Sequence, residues 1–410
     1  MQEKILYGPF TQLLTMDKLP QRGAMKDDQL EVLSDMCILV SEGLVLAIDK
    51  LEVLSGQADQ YVSFDEPTVA LPGFIDSHTH ICFGGSRAMD YAMRNAGQSY
   101  LEIASSGGGI WDTVTATRAC SQKELADKTA ERAARHLAEG VTTIEVKSGY
   151  GLSVEQELKM LRAIKDAQKE TAADLISTCL AAHVKPKDFE GDHQAYLELI
   201  STNLFPLLKE ENLANRVDIF VEEGAFGQEV AKVYLEKAQS LGFDITIHAD
   251  QFHIGGSALA IKVGAKSADY LEVSGSEEIT KLAKSEVIST ALPGASIGLG
   301  CAFTPARAIL DQGGQLAIAS DWNPGSAPMG DLLLQASILG TFQKLSNTEV
   351  LAGITVRAAK ALGLQDRGIL KPGFKADFLV FTTSQYNEIL YQQGKMKPAN
   401  VIKNGKVVKL

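Results

Sequence analysis

The sequence predicts a (β/α)₈ barrel carrying a small β-sandwich domain built from both chain ends. Three observations lead there. Between residues 74 and 319, eight short strand-like runs alternate with helical segments, a pattern that favours a closed parallel barrel over an open sheet. Residues 1–66 and 365–410 instead read as short strands and turns, so the two ends are expected to pack as one sandwich around a barrel spanning 67–364. Four of the seven histidines stand at the ends of predicted barrel strands.

At the N-terminus, Ile5 to Tyr7, Met36 to Val40 and Leu44 to Ile48 are β-type runs, the last two joined by the turn-like Ser41-Glu42-Gly43. The C-terminus matches with Ala376 to Phe381 and a hairpin turning at Asn404-Gly405. Barrel strand one is Phe74-Ile75, after a Pro-Gly break. A capping box of Ser121 and Glu124 opens a helix running to Gly140, and Ser153 with Gln156 opens another to about Lys169. Strands two to five are read at 141–146, 175–180, 217–221 and 243–247, and strands six to eight at 268–271, 287–291 and 316–319. Thr304 is expected at an N-cap with Pro305 at the first helical position.

Composition narrows the function classes. The 410 residues carry 39 basic and 51 acidic side chains, a formal charge of −12, which argues against nucleic-acid and anionic-membrane partners. No signal segment or membrane-spanning run is read, and the five scattered cysteines lack a C-x-x-C pair, so reduced thiols in a cytoplasmic protein are expected. A chain of this size is compatible with a homodimer, although no stretch marks a contact surface.

Chemistry in such barrels gathers at the C-terminal strand ends. Strand one delivers His78 and His80, whose two-residue spacing points both imidazoles to one side. Strand three ends in His183, strand five in His248-Ala249-Asp250-Gln251, and strand eight in Ser320-Asp321-Trp322-Asn323. His78, His80, His248 and Asp321 form an N₃O set suited to one Zn²⁺ or Fe²⁺ with room for a water. Asp321 is expected both to bind the metal and to take that water's proton. Strand four ends in Glu222-Glu223, which leaves no lysine there for a carbamylated bridge and favours one metal over two. His136, on a charged helix, and His193 are expected at the surface; His253 is left unassigned.

These residues carry a resemblance. The run Pro72 to His80, the strand-five His, the strand-eight Asp and the flanking β domain are similar to the metal-dependent amidohydrolase superfamily. More narrowly, Phe83 to Arg87, Gly107 to Ile110, Glu145 to Leu152, His248 to Gln251 and Asp321 to Ser326 resemble the imidazolonepropionases of histidine degradation. That family opens the cyclic amide of 4-imidazolone-5-propanoate with water to give N-formimino-L-glutamate. The resemblance implies metal ligation by His78, His80, His248 and Asp321, and substrate contacts from Arg87, Tyr100, Tyr150, His183 and Gln251. It also implies product contacts from Asn323, Gly325 and Ser326. A planar guanidinium at Arg87 suits a propionate carboxylate.

One position departs from the pattern. Where the family's strand six usually ends in a histidine, this chain has Tyr270. Tyr270 then supplies a hydrogen bond to the reaction, or His183 or His253 substitutes for the missing imidazole. The other readings are a related hydrolase acting on a different cyclic amide or amidine, and a binder whose catalysis is impaired.

Overall fold

The structure, a computed structural model, describes residues 3–98, 102–103 and 106–409. The barrel strands are Phe74–Asp76, Val141–Lys147, Asp174–Ala182, Arg216–Val221, Asp244–Ala249, Ser267–Tyr270, Ile288–Ala291 and Leu316–Ile318. They pair in parallel in chain order, as the sequence pattern requires. Strands one and eight meet just beyond their ends: Asp321 N–H donates to His78 O at 3.0 Å and His80 N–H to Trp322 O at 2.9 Å. Closure of the barrel therefore falls on the predicted metal ligands and sets them side by side.

The chain ends form two further sheets. One is four-stranded, built from Ile5–Phe10, Met36–Ser41, Leu44–Lys50 and Gln60–Val62. The other is six-stranded and joins Gln12–Leu14, Val32–Leu33 and Thr68–Pro72 to Phe378–Thr382, Asn400–Lys403 and Lys406–Val407. Thr68–Pro72 runs antiparallel to Phe378–Thr382, so the two termini share a sheet. In the C-terminal hairpin both turn residues have positive φ, 49° at Asn404 and 72° at Gly405, as a tight two-residue hairpin turn demands.

Local signals hold in most places. Ser121 Oγ accepts from Glu124 N while Glu124 accepts from Ser121 N, and the helix Gln122–Ala138 ends before Gly140 at φ 96°. The next helix, Val154–Ala167, stops short of Lys169 because Gln168 turns its side chain to Ala173 O and Leu175 N at the entry to strand three. Thr304 does not cap a helix. Its hydroxyl donates to Tyr270 O, Pro305 takes the N-cap position, and the helix is Ala306–Asp311.

Of the two histidines expected at the surface, one lies inside and the other is half-buried. His136 is fully buried on the apolar stripe of its helix with Leu125, Thr129 and Ala133. Its Nε2 is 3.2 Å from Asp76 Oδ2, and its ring meets Trp322 edge-on at 4.7 Å. His193 is half-buried, edge-on to Phe226 at 5.5 Å.

Candidate metal centre and active site

Three imidazoles converge at the top of the barrel. His80 Nε2 lies 3.2 Å from His78 Nε2 and 3.4 Å from His248 Nε2, and Asp321 Oδ1 lies 3.3 Å and 3.5 Å from His80 and His78 Nε2. Nitrogen and oxygen ligands about 2.0–2.1 Å from a tetrahedral Zn²⁺ stand about 3.3–3.4 Å from one another. His80 has that spacing to His78, His248 and Asp321, and the three imidazoles form one group whose ligand atoms all lie within 4.8 Å of one another. All four residues are buried, and Asp321 Oδ1 has no hydrogen-bond donor. An unpaired carboxylate oxygen in such a place costs free energy unless a cation sits against it. The donor set therefore fits a divalent ion.

Carboxylates below the cluster aim the rings. His78 Nδ1 bonds Asp269 Oδ2 at 2.6 Å, and His248 Nδ1 faces Asp218 Oδ2 at 2.9 Å, which turns each Nε2 toward the cluster. Burial, then the positive field of Lys147 and the other imidazoles, pushes His78 well below the ordinary histidine value. Burial followed by His248 and Lys147 does the same for His80. Neutral imidazoles are what a metal requires.

Asp321 is divided between two tasks. While Oδ1 faces the histidines, Oδ2 accepts from Asn323 Nδ2 at 2.9 Å, Tyr270 Oη at 3.1 Å and Ser326 Oγ at 3.3 Å. Burial pushes its carboxyl up to about 7, against the opposing pull of His248 and these donors. A cation at Oδ1 would keep it ionised. Tyr270 thus bonds the carboxylate that faces the histidine cluster. Its hydroxyl is held well above the ordinary tyrosine value, by burial first and by Asp321 second, so it stays a donor.

A cavity of about 690 Å³ opens over the cluster, lined by His80, Arg87, Tyr150, His183, Gln251, Tyr270, Asn323, Gly325 and Ser326. His183 Nδ1 lies 3.0 Å from Gly149 O, an acceptor, so the ring proton sits on Nδ1 and Nε2 is left as an acceptor. Its ring stacks on His80 at 5.5 Å. Tyr150 is held by its loop, where Glu157 accepts from the backbone N–H groups of Gly149, Gly151 and Leu152. Arg87 donates Nε to Asp90 at 2.8 Å. A Cβ on Gly325 would lie 2.3 Å from Arg87 Nη1, so only glycine lets the guanidinium lie across that backbone. Asn323 Oδ1 accepts from Gly325 N and Ser326 N, each at 2.8 Å, shaping the loop from within. Tyr100 lies outside the described residues. His253 is half-exposed at the rim, its Nδ1 2.6 Å from Glu222 Oε1, and does not line the cavity.

Sequence reading did not assign Arg94, Asp218, Asp269 or Lys147 to this site. Arg94 lines the cavity and donates to Gly298 O at 2.7 Å and Gly325 O at 3.1 Å. The acids carried a usable signal: Asp218 and Asp269 interrupt otherwise apolar strands, where a charge must be buried and paired.

Comparison with known proteins places the fold and family. The sequence profile of the amidohydrolase family matches residues 69–408. An imidazolonepropionase from Bacillus cytotoxicus is 38% identical over 407 residues, covering 98% of this chain and 96% of the relative. One from Bacillus mycoides is 40% identical over 403 residues, covering 97% and 94%. Atrazine chlorohydrolase from Arthrobacter aurescens TC1, solved in complex with zinc, shares the fold with a TM-score of 0.74 at 17% identity, covering 98% of this chain and 94% of that one. With a profile match across most of its length and relatives at 38–40% identity over nearly the whole chain, the chain belongs to the amidohydrolase family.

Proposed function

We propose that the protein hydrolyses the cyclic amide of 4-imidazolone-5-propanoate to N-formimino-L-glutamate. The observation that carries this reading is identity of 38–40% to imidazolonepropionases over nearly the whole chain, in a molecule whose buried histidine cluster meets a cavity at His80. His78, His80, His248 and Asp321 would hold one divalent ion, Zn²⁺ or Fe²⁺. When bound, such an ion supplies a nucleophilic water at neutral pH.

The chain's own groups then bind and orient. Arg87 offers a fork to the propionate carboxylate, with one edge steadied by Asp90. Tyr150 is buried, and burial, then the nearby Asp321 carboxylate, pushes its hydroxyl well above the ordinary value, so it donates to the ring. Gln251 and the Nε2 of His183 are an amide and an acceptor for the ring N–H groups. Asp321 Oδ2 takes the proton from the attacking water as one of its three donors turns away; Ser326, the longest contact at 3.3 Å, is the first to yield. His253 is engaged with Glu222 at the rim, so His183 and Tyr270 act where the family's strand-six imidazole would stand. The setting is cytoplasmic and the substrate a small carboxylate-bearing heterocycle. Among the described residues no helix is long and apolar enough to cross a membrane.

Metal-loaded protein mixed with freshly generated imidazolonepropionate should bleach its ultraviolet absorbance, and Asp321→Ala should not. Equal rates for the two proteins would overturn the reading. Tyr270 favours one alternative, a related hydrolase of another cyclic amide or amidine. Ammonia release from a heterocycle panel, without imidazolone turnover, would move the assignment there.

A further inference from the structure

We propose that Lys147 is the positioning residue of the metal cluster, its ammonium bracing the carboxylates that hold the ligands of strands one and five. This rests on the metal-site reading above and adds a role to a residue that touches neither metal nor substrate.

Lys147 is fully buried inside the barrel, a space normally filled by branched aliphatic side chains. Its Nζ lies 2.8 Å from Glu145 Oε1 and 2.9 Å from Asp218 Oδ2. From each acid a path leads to ligands. Glu145 Oε2 accepts the backbone N–H of Thr79 at 3.1 Å, and Thr79 Oγ1 donates to Glu145 O at 2.6 Å. The Lys147 N–H donates to Thr79 O at 3.0 Å. Thr79 is the residue between His78 and His80, so strand two holds the backbone that presents both imidazoles. On the other side, Asp218 Oδ2 lies 2.9 Å from both Lys147 Nζ and His248 Nδ1. The same carboxylate oxygen answers the lysine and the ring.

A carboxylate in a dry interior turns toward whatever cation is available, and breaking one member of such a cluster is strongly unfavourable. With Lys147 removed, Asp218 and Glu145 repel each other without a counter-ion, and the carboxylate oxygen beside His248 Nδ1 loses the cation that fixes it. Partners of this kind typically contribute 10–100-fold to metal affinity.

The test is Zn²⁺ titration of the full chain against a competing chromophoric chelator at constant pH, with thermal unfolding of the metal-free proteins in parallel. Glu145→Gln is compared with Glu145→Gln combined with Lys147→Met; the combined variant keeps the cluster's net charge at the wild-type value. The expected result is similar metal-free unfolding temperatures, Zn²⁺ affinity within threefold of wild type for the single variant, and a loss of about 10–100-fold for the combined one. Affinity within threefold of wild type in the combined variant would overturn the proposal. Should that variant lose its cooperative transition, Asp218→Asn cuts the same path at one point, and unchanged Zn²⁺ affinity there would overturn it equally. No readout depends on turnover, so a failed substrate assignment leaves this test standing. A wild-type protein that binds no Zn²⁺ overturns the metal site and this role together.

Discussion

Tyr270 donates its hydroxyl to Asp321 Oδ2 at 3.1 Å, at the position where the family pattern read from the sequence puts a histidine. Hydrogen bonds to charged groups contribute about 1.5–3 kcal/mol, so Tyr270→Phe should lower kcat by roughly 10–100-fold with little change in KM. A steady-state comparison checks this; an unchanged kcat would mean that Asn323 and Ser326 suffice to hold the carboxylate. The clustered histidines were legible in the sequence because a metal set has few acceptable residue types and each stood at a strand end. Lys147, Asp218 and Asp269 were visible as charges inside apolar strands, but which acid faces which ring depends on register between strands far apart in the chain. His136 was misread because its helix is charged overall, while its own position falls on the buried stripe.

At the level of elements, the site is made by how strands end. Asp250, Tyr270, Leu271 and Asp321 all have positive φ, between 51° and 86°, at the ends of strands five, six and eight. Non-glycine residues in that region cost about 1–2 kcal/mol each, and such strain gathers where side chains must be aimed. The loop after strand eight shows the same economy of space at Gly325, where Arg87 Nη1 occupies the volume of a side chain. Gly325→Ala should displace the guanidinium and raise KM for a carboxylate-bearing substrate about tenfold, with kcat changed much less. Equal loss in both parameters would show that the glycine serves the loop rather than the fork. Strand order and helix caps could be read from periodicity and capping boxes. Thr304 could not, because its hydroxyl serves a strand end 34 residues away in sequence.

For the whole molecule, one acid ties the C-terminal end of the chain to the barrel. Asp174, at the start of strand three, receives Arg367, Lys375 and Lys403 on Oδ2 at 2.5, 2.7 and 3.0 Å. Burial would raise its carboxyl, but Lys403, Lys375 and Arg367 outweigh burial and hold it well below the usual range. A depressed folded-state value stabilises above the unfolded value, about 3.9, and the stabilisation fades as pH falls toward the folded one. Asp174→Asn should therefore destabilise the protein by about 2–4 kcal/mol at pH 7, with the gap closing progressively below about pH 4. Unfolding temperatures across pH 7 to 2 check the sign, and a gap that widens in acid would contradict it. Composition marked both ends as β-rich, whereas their joining through Thr68–Pro72 and Phe378–Thr382 is a long-range pairing that no local pattern encodes.

The central claim is that His78, His80, His248 and Asp321 share one cation. Anomalous diffraction from crystals of the purified protein, collected at the Zn and Fe absorption edges, tests it most directly. One strong peak per chain is expected, within bonding distance of the three Nε2 atoms and Asp321 Oδ1. A peak elsewhere, or no peak in protein that turns over substrate at full rate, would contradict it.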